Sequence, residues 1–258
     1  VVAIVFVANL MIGNTFYGVL DVARVVAGRD VPGTAFTIGE LRLPRAVLGA
    51  LAGVAFGVAG VTFQTMLRNP LASPDVIGIS SGASAAAVVG IVVLRVADSV
   101  VSLMALVGAL LTALTIYLLA SRGGFSGGRL VLIGIGLAAM LQSVVTYVLA
   151  RAAAWDLQTA MRWLTGSLNG ATWGRVVPLG ICCVALVTVL VAMDRNLSVL
   201  RLGDDSSAAL GVHVERTRVV LLVAAVALIA FATAAAGPIS FVAFMAGPLP
   251  PPAARPGG

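Results

Sequence analysis

The sequence predicts an all-α fold, a polytopic bundle of membrane-spanning helices. Of its 258 residues, 60% are hydrophobic and 10% are charged, whereas soluble domains average about 25% charged residues. Long apolar stretches alternate with polar loops along the chain, and about 20 apolar residues are enough to cross the hydrocarbon core of a bilayer. Because so few polar residues cannot cover a water-soluble globule, the composition excludes a soluble enzyme and a soluble binding domain.

Seven apolar stretches are long enough to span a membrane. They are Val1–Val19, Ala46–Met66, Val76–Val96, Val100–Ala120, Leu130–Ala150, Val176–Met193 and Val219–Ala236. An eighth begins at Ile239 and stops after about eight residues, because Pro248 and Pro250–Pro252 cannot continue a helix. We therefore expect seven to eight spans, with residues 1–246 forming the membrane domain and residues 247–258 an aberrant proline- and glycine-rich tail.

Two of the loops have distinctive compositions. Arg151–Arg175 carries Trp155, Trp163 and Trp173 at intervals that suit an amphipathic helix at the membrane surface. Asp194–Arg218 is the most polar segment of the chain. We expect the first loop to lie along the membrane and the second to project from it.

The second predicted span carries a stripe of glycines. Gly49, Gly53, Gly57 and Gly60 lie nearly on one helix face. Because glycine has no side chain, this spacing lets a neighbouring helix approach closely. The stripe predicts ordinary bundle packing and a central place for this span.

The segment Gln64–Ala83 joins two apolar spans but contains helix-breaking residues. Pro70 has no amide hydrogen, and Pro74 disfavours helix at the residue before it. We expect the chain to leave the helix at Asn69 and to restart it near Pro74 or Asp75.

The charged residues exclude several function classes. The net charge of +6 comes entirely from arginine, since the chain has no lysine, so a lysine-containing phosphate loop is excluded. The arginines are scattered through the loops, which favours lipid phosphates or partner proteins over nucleic acid. No carboxylate pair lies in a predicted span, which argues against a secondary carrier driven by protons. With a single histidine, His213, and with Cys182 and Cys183 adjacent in an apolar run, we expect no metal site.

A set of short motifs resembles, in order and spacing, the FecCD family, the iron-siderophore and cobalamin permeases of bacterial ATP-binding cassette (ABC) importers. The motifs are Leu41–Arg45, the glycine stripe, Gln64, Arg68–Pro74, Gly78–Ala83, Trp163–Leu168, Leu202–Asp204, Leu210–Val212 and Ala236–Val242. Each motif is weak alone, but the whole set is specific and covers nearly the whole chain. After Met245 the family continues into two more spans, whereas this chain runs into the tail, which we interpret as a shifted reading frame or a cloning end.

The resemblance implies a fold, an assembly and an orientation. Family members have ten membrane helices per subunit and lie in the bacterial cytoplasmic membrane, where two permease subunits, alike or different, join two cytoplasmic ATPase subunits. An external binding protein delivers the metal chelate. The permease itself is not an enzyme and binds no cofactor, and ATP is used by the ATPase subunits. The loop before Arg42 is implied to lie outside, and the loop Asp194–Arg218 in the cytoplasm.

The first candidate site is a pair of arginines at the implied outer mouth. Arg42 and Arg45 are three residues apart, a spacing that places both guanidinium groups on one side of a helix and suits a carboxylate partner. In the cobalamin importer, arginines at the matching positions meet glutamates of the binding protein. We therefore expect Arg42 and Arg45 to dock the binding protein. The alternative is that both arginines reach lipid headgroups.

The second candidate site is the loop that the resemblance identifies as the contact with the ATPase. Asp204 and Asp205 can cap the start of a short helix through Ser206–Leu210, and Gly211 can end it. Such a projecting helix has the shape to fit a groove on an ATPase. An ordinary solvated loop is the alternative. The residues assigned to this coupling loop are Gly203, Asp204, Asp205, Ala208, Leu210 and Gly211.

Two further groups of residues follow from the resemblance. Ser126, Gly127 and Gly128 fall where the family has its cytoplasmic gate, although glycines are also what a tight turn requires. A second group forms either the break between two spans or part of the translocation path, with a structural role favoured for Asn69. Its members are Gln64, Asn69, Pro70, Pro74, Ser80 and Gly82.

These observations predict a permease subunit of an ABC importer that passes a ferric siderophore, or a related chelate such as haem or cobalamin, across the cytoplasmic membrane. One alternative is a truncated or frameshifted chain without function, since the tail replaces the last spans. A secondary carrier is disfavoured by the missing carboxylates and by the coupling loop. The chelate and the type of permease dimer are not encoded in recognisable motifs.

Overall fold

A computed structural model describes residues 2–13, 15–28, 34–70, 72–121 and 127–247. Thirteen α-helices, and no strands, occur in these ranges, so the predicted all-α class is confirmed. The helices are α1 (Val2–Met11), α2 (Val19–Val26), α3 (Leu43–Met66), α4 (Pro74–Ile77), α5 (Ile79–Val88), α6 (Asp98–Ser121), α7 (Gly127–Leu149), α8 (Ala154–Leu164), α9 (Trp173–Ala192), α10 (Asp194–Leu200), α11 (Asp204–Ala209), α12 (Val214–Ala236) and α13 (Val242–Met245). Most of the tail, residues 248–258, lies outside the described ranges.

Five of the predicted spans are confirmed as long apolar helices. In the described residues, five helices have the length and composition to cross a membrane. They are Thr37–Met66, Asp98–Ser121, Gly127–Leu149, Trp173–Ala192 and Val214–Ala236. The first of these is α3 together with the π-helical turn Thr37–Arg42 that leads into it. Its proline, Pro44, lies where the π-helical turn passes into α3, and its missing amide hydrogen removes one backbone hydrogen bond at that junction.

The predicted span Val1–Val19, whose apolar run is interrupted by Asn9 and Asn14, does not form one membrane-spanning helix. Helix α1 ends at Met11, and α2 begins only at Val19. The carbonyl oxygens of Leu10 and Met11, which a longer helix would use for its own hydrogen bonds, accept hydrogen bonds from Arg42 instead (3.0 and 3.1 Å). A side chain distant in sequence therefore satisfies the carbonyl end of this helix, and the local apolar pattern could not reveal this contact.

The predicted span Val76–Val96 is broken near its start. Helix α4 ends at Ile77, Gly78 has a φ of +89°, and α5 then continues through a π-helical turn to Leu94. A side chain at Gly78 would lie 2.7 Å from the Cβ atom of Ala138 on α7. Gly78 therefore serves both the left-handed bend and the close approach of α7.

Helix α12 occupies the centre of the bundle. Its most apolar stretch is 67% buried, compared with 11% for α7. Helices α3, α6 and α9 pack around it, and its alanine-rich sequence lets their backbones come close. Gly237, with a φ of +76°, ends the helix.

Among the glycines of the stripe, only Gly60 is approached closely by the backbone of another described element. A Cβ atom at Gly60 would collide with the carbonyl oxygen of Ala243 in α13, whereas one at Gly53 would meet no described atom within 4 Å. The predicted close approach is therefore confirmed at Gly60, and its partner is the four-residue helix α13. The predicted eighth span is present in the described residues only as α13.

The two ends of the bundle carry different structures. At one end, which we call the Arg42 end, the indole of Trp173 donates a hydrogen bond to the carbonyl of Gly39 (3.3 Å). The amphipathic helix α8, predicted for the loop Arg151–Arg175, lies beside the same end, where Arg95 pairs with Asp156 (3.3 Å). The opposite end, the Asp204 end, carries α10 and α11.

Candidate functional site

Arg42 is held by the backbone at its own end of the bundle. Its guanidinium donates hydrogen bonds to the carbonyl oxygens of Leu10, Met11 and Thr15, at 3.0, 3.1 and 2.8 Å. The same group lies 4.9 Å from the centre of the Tyr17 ring. Arg42 thus compensates the carbonyl end of α1, which carries partial negative charge, and joins α1 to α3.

Arg45 has different surroundings although it lies only three residues away. Its side chain is exposed at the edge of an apolar groove between α1 and α3, beside Asn9 and Leu168. Within the described ranges no hydrogen bond or ion pair of Arg45 is found. The two arginines that the sequence paired for docking therefore differ: Arg45 is available to a partner, and Arg42 is committed to the N-terminal helix.

At the Asp204 end, one carboxylate joins three helices. Arg218, in the first turns of α12, donates from Nη2 to both oxygens of Asp204, at 3.0 and 3.1 Å. Arg68, just beyond α3, donates to Oδ1 of the same carboxylate at 3.2 Å. Asp204 is the first residue of α11. The Arg218 side chain is 10% exposed, whereas those of Arg68 and Asp204 are both 47% exposed.

Helix α11 is fastened on its inner side and open on its outer side. Ser207 is fully buried, and its hydroxyl lies within hydrogen-bond distance of two carbonyl oxygens, those of Val199 (2.9 Å) and Gly203 (2.6 Å), which share its single proton. Gly203 and Gly211, with φ of +104° and +82°, bound the helix. On the other side the surface is formed by exposed residues of the predicted coupling loop, namely Asp205, Ala208 and Leu210.

The prediction that Asp204 or Asp205 caps α11 is wrong. The residue before the helix is Gly203, and no side chain makes a capping hydrogen bond. Asp204 stands inside the helix, and its carboxylate is occupied by the two arginines. The sequence pattern, an acidic residue before a short helix, is typical of a cap. Here the carboxylate binds Arg68 and Arg218, which are distant in sequence, instead of the helix backbone.

The break between α3 and α4 begins earlier than predicted. Helix α3 ends at Met66 rather than at Asn69, and Arg68 has a left-handed backbone with a φ of +51°. The amide of Asn69 donates to the carbonyl of Gln64 (3.1 Å), which closes the turn. The exposed Pro70 follows, and the chain resumes as α4 at Pro74.

Gln64 joins α3 to α13. It is buried, and its Nε2 donates to the carbonyl of Phe244 at 2.9 Å. Its Oε1 atom is buried with no hydrogen-bond partner in the described structure. The hydrogen bonding of Gln64 is therefore incomplete here, and an unsatisfied buried acceptor costs free energy.

Ser80 and Gly82 lie at helix contacts on α5. The Ser80 hydroxyl donates to Oδ1 of Asp75 at 2.7 Å. Burial raises the pKa of the Asp75 carboxyl, and the hydrogen bond from Ser80 lowers it only in part. At Gly82, a Cβ atom would lie 2.7 Å from the carbonyl oxygen of Gly108, so this glycine permits α5 and α6 to pack closely.

The predicted gate is described only in part. Ser126 lies outside the described residues. Gly127 begins α7, and Gly128 follows it in the first turn. A side chain at Gly127 would lie 3.0 Å from a methyl group of Leu67, so the start of α7 packs on the end of α3.

Sequence reasoning missed Arg218 as a site residue. It was assigned to the loop because the apolar run begins at Val219, but α12 begins at Val214 and includes it. A charged residue inside a span requires a partner. If the span is taken to begin at Val214, Arg218 lies inside it, and Asp204 is a candidate partner. No cluster of three or more metal-ligating side chains occurs among the residues that the structure describes.

The chain is similar to permeases of known transport systems. A family model described as the FecCD transport family matches residues 1–250. The ferric enterobactin transport system permease protein FepG of Escherichia coli is 42% identical over 81% of this chain and 63% of its own length. The achromobactin transport system permease protein CbrC of Dickeya dadantii is 39% identical over 94% of this chain. The chain spans 63% and 70% of the lengths of these relatives.

The fold is also similar to a solved structure. A chain of a metal-chelate type ABC transporter in an inward-facing conformation superposes with a TM-score of 0.84, covering 95% of this chain and 76% of that one. The sequence identity is 22%. This likeness concerns the fold, and it confirms the predicted membrane helix bundle.

Proposed function

Because the chain belongs to the FecCD transport family, we propose that it is the permease subunit of an ABC importer that moves a metal chelate inward. The five long apolar helices and the family place it in the cytoplasmic membrane as a multi-pass protein. The proposed partners are a second permease subunit, alike or different, two cytoplasmic ATPase subunits and an external binding protein. ATP is hydrolysed by the ATPase subunits, and this chain contributes the path.

One observation carries the proposal: one continuous helix runs from an exposed arginine at the Arg42 end to the contacts of α11 at the Asp204 end. Helix α3 and its leading turn run unbroken from Thr37 to Met66. Arg45 is exposed at one end, and the platform of α11 is fastened to the other end through Arg68 and Asp204. An importer needs this arrangement, because a binding protein acts on one side of the membrane and an ATPase on the other.

The proposed cargo is a ferric siderophore. Ferric enterobactin and achromobactin are the cargos in the names of the two relatives described above. A chelate is bulky and hides the charge of its metal, so neutral and small side chains suit its path better than ion-coordinating ones. Haem and cobalamin are the competing chelates.

The site residues receive roles within this proposal. Arg45 docks the binding protein, and Arg42 holds α1 in place beside it. Gly203–Gly211 forms the coupling loop, and its exposed residues Asp205, Ala208 and Leu210 meet the ATPase. Gly127 and Gly128, with Ser126, form the cytoplasmic gate. The segment from Gln64 to Gly82 forms the span break at the cytoplasmic end of the path.

The test is uptake of labelled chelates by the source organism after deletion of the gene. We expect loss of uptake of radiolabelled ferric siderophore, unchanged uptake of labelled cobalamin and haem, and restoration when the chain is supplied from a plasmid. Membrane insertion of the supplied chain, checked by immunoblot, is the control. Unchanged uptake of every chelate after deletion would contradict the proposal. A chain that inserts but restores nothing would favour the alternative of a non-functional chain.

A further inference from the structure

The carboxylate of Asp204 is the meeting point of three structural elements. Arg68 follows α3, Asp204 begins α11, and Arg218 lies in α12. These residues lie far apart in the sequence, and their three short contacts of 3.0 to 3.2 Å bring the elements together. We call this group the Asp204 clamp.

The two arms of the clamp differ in strength. Arg218 is 10% exposed, so its charge is largely removed from water and requires a partner. Asp204 meets it with both carboxylate oxygens. Arg68 is 47% exposed and touches one oxygen only, and an exposed ion pair contributes little. The Arg218 arm therefore anchors α11 to α12, and the Arg68 arm is a weaker link to α3.

The backbone around Arg68 shows that the weaker arm is also built into the fold. Arg68 has a φ of +51°, a conformation that side chains other than glycine rarely adopt. In this conformation its guanidinium reaches Asp204. The conformational cost is offset by the contacts that the turn makes, including the hydrogen bond from the Arg68 amide to the carbonyl of Thr65 (3.2 Å).

Helix α11 needs such an anchor if it is to transmit force. It has six residues and is bounded by two glycines in left-handed or extended positive-φ conformations, which permit bending. Ser207 binds it to backbone carbonyls, that of Val199 in the short helix α10 and that of Gly203. In the described structure, Asp204 supplies the side-chain link from α11 to the long helices.

We propose that Asp204 is a positioning residue: it fixes α11 to α12 and α3, so that a displacement of α11 moves both long helices together. The proposal rests on the proposed function only in taking an ATPase as the partner that displaces α11. Through α3, the displacement reaches the Arg42 end of the bundle, and through α12 it reaches the centre of the core.

The first experiment tests the clamp without partners. Hydrogen exchange is measured on the chain in lipid nanodiscs, comparing wild type with Asp204→Asn. We expect amides of residues 204–211 to exchange at least about tenfold faster in the variant, while those in the middle of α12 are unchanged. Asp204→Glu, which keeps the charge, should restore most of the protection. Asp156→Asn, which breaks the Arg95 pair at the Arg42 end, is the matched control.

The second experiment tests the coupling in the assembled importer. The transporter with its ATPase and binding-protein partners is placed in liposomes, and chelate transported per ATP hydrolysed is measured. We expect Asp204→Asn to lower this ratio by about tenfold or more, while the ATPase subunits still co-purify and hydrolyse ATP. Arg218→Gln should lower the ratio of chelate transported to ATP hydrolysed more than Arg68→Gln does. If Asp204→Asn or Arg218→Gln fails to fold, Arg68→Gln is the milder variant for the same measurement.

The outcomes separate the two proposals. If Asp204→Asn matches Asp156→Asn in both experiments, the clamp proposal is overturned while the proposed function stands. If the wild-type assembly transports no chelate, the proposed function fails, and the coupling role fails with it. Faster exchange in residues 204–211 with an unchanged transport ratio would also overturn the positioning role.

Discussion

At the scale of single residues, the surroundings of an arginine decide what it does. Arg42 binds three backbone carbonyls, Arg45 is exposed, and Arg218 is nearly buried against a carboxylate. All three were visible in the sequence as charges close to apolar runs. Their different roles depend on atoms supplied by distant parts of the chain.

Arg42 and Arg45 should respond differently to the same substitution. Arg42→Gln removes charge-assisted hydrogen bonds to α1, so we expect a loss of about 1–2 kcal/mol in unfolding free energy. Arg45→Gln should leave the unfolding free energy unchanged and weaken binding of the binding protein. Denaturation of each variant in detergent measures the unfolding free energy. The affinity of the binding protein for wild-type and variant importers measures docking. Equal effects of the two variants on both quantities would contradict this division of roles.

Asp75 predicts a pH dependence of stability. Because burial raises its pKa in the folded state above the ordinary value of 3.8, the unfolded chain loses this proton first as the pH rises. The contribution of Asp75 to stability is therefore fully present below the ordinary pKa and is lost as the pH rises through the raised pKa.

Asp75→Asn should remove this loss. The variant is expected to unfold at a higher temperature than wild type above the raised pKa and to match it more closely in acid. Ser80→Ala, which removes the hydrogen bond to Asp75, should steepen the decline with pH. Thermal unfolding in detergent over a series of pH values makes the comparison. If the unfolding temperatures of wild type and Asp75→Asn change in parallel with pH, the prediction is wrong.

At the scale of helices, the glycines of α3 show how far a sequence pattern reaches. The stripe correctly predicted a close approach. Gly60 is the member of the stripe that the backbone of another element, at Ala243, approaches closely. Glycine spacing identifies a face that can be approached. It does not show which glycine a neighbouring helix contacts, because that depends on where the neighbour, here α13, begins.

Gly60→Ala and Gly53→Ala form a matched pair on the same helix. At Gly60 the added methyl group would collide with the Ala243 carbonyl, so we expect a loss of about 1–3 kcal/mol through overpacking. At Gly53 no described atom lies within 4 Å, and alanine should stabilise the helix by up to about 1 kcal/mol. Unfolding in detergent measures both. A larger loss at Gly53 than at Gly60 would show that the packing of α13 is assigned wrongly.

Two of the errors in helix prediction share one physical cause. The long spans from α6 to α12 were predicted to within a few residues because each satisfies its own backbone hydrogen bonds. Errors arose where a distant group intervened, at Met11 through Arg42 and at Asp204 through Arg218. Apolar patterns are local, and these contacts are not.

At the scale of the whole molecule, the sequence predicted the class of fold and the family but not which helix is central. The glycine stripe predicts a central place for α3, and α3 does pack on α12, but the stripe gives no sign that α12 is the most buried of the long helices. In a membrane protein both lipid-facing and core-facing residues are apolar, so hydropathy does not distinguish them. The proposed importer role likewise follows from both ends taken together, since neither Arg45 nor α11 alone implies a transporter.

The central position of α12 has a consequence for biosynthesis. Ribosomes deliver the spans to the membrane in sequence order, so α3, α6 and α9 are inserted before their common neighbour exists. Contacts between elements far apart in sequence form late. Until residues 214–236 have left the ribosome, the earlier helices lie in the bilayer without the surface against which they pack. A chain interrupted before α12 would therefore expose these faces to quality-control proteases.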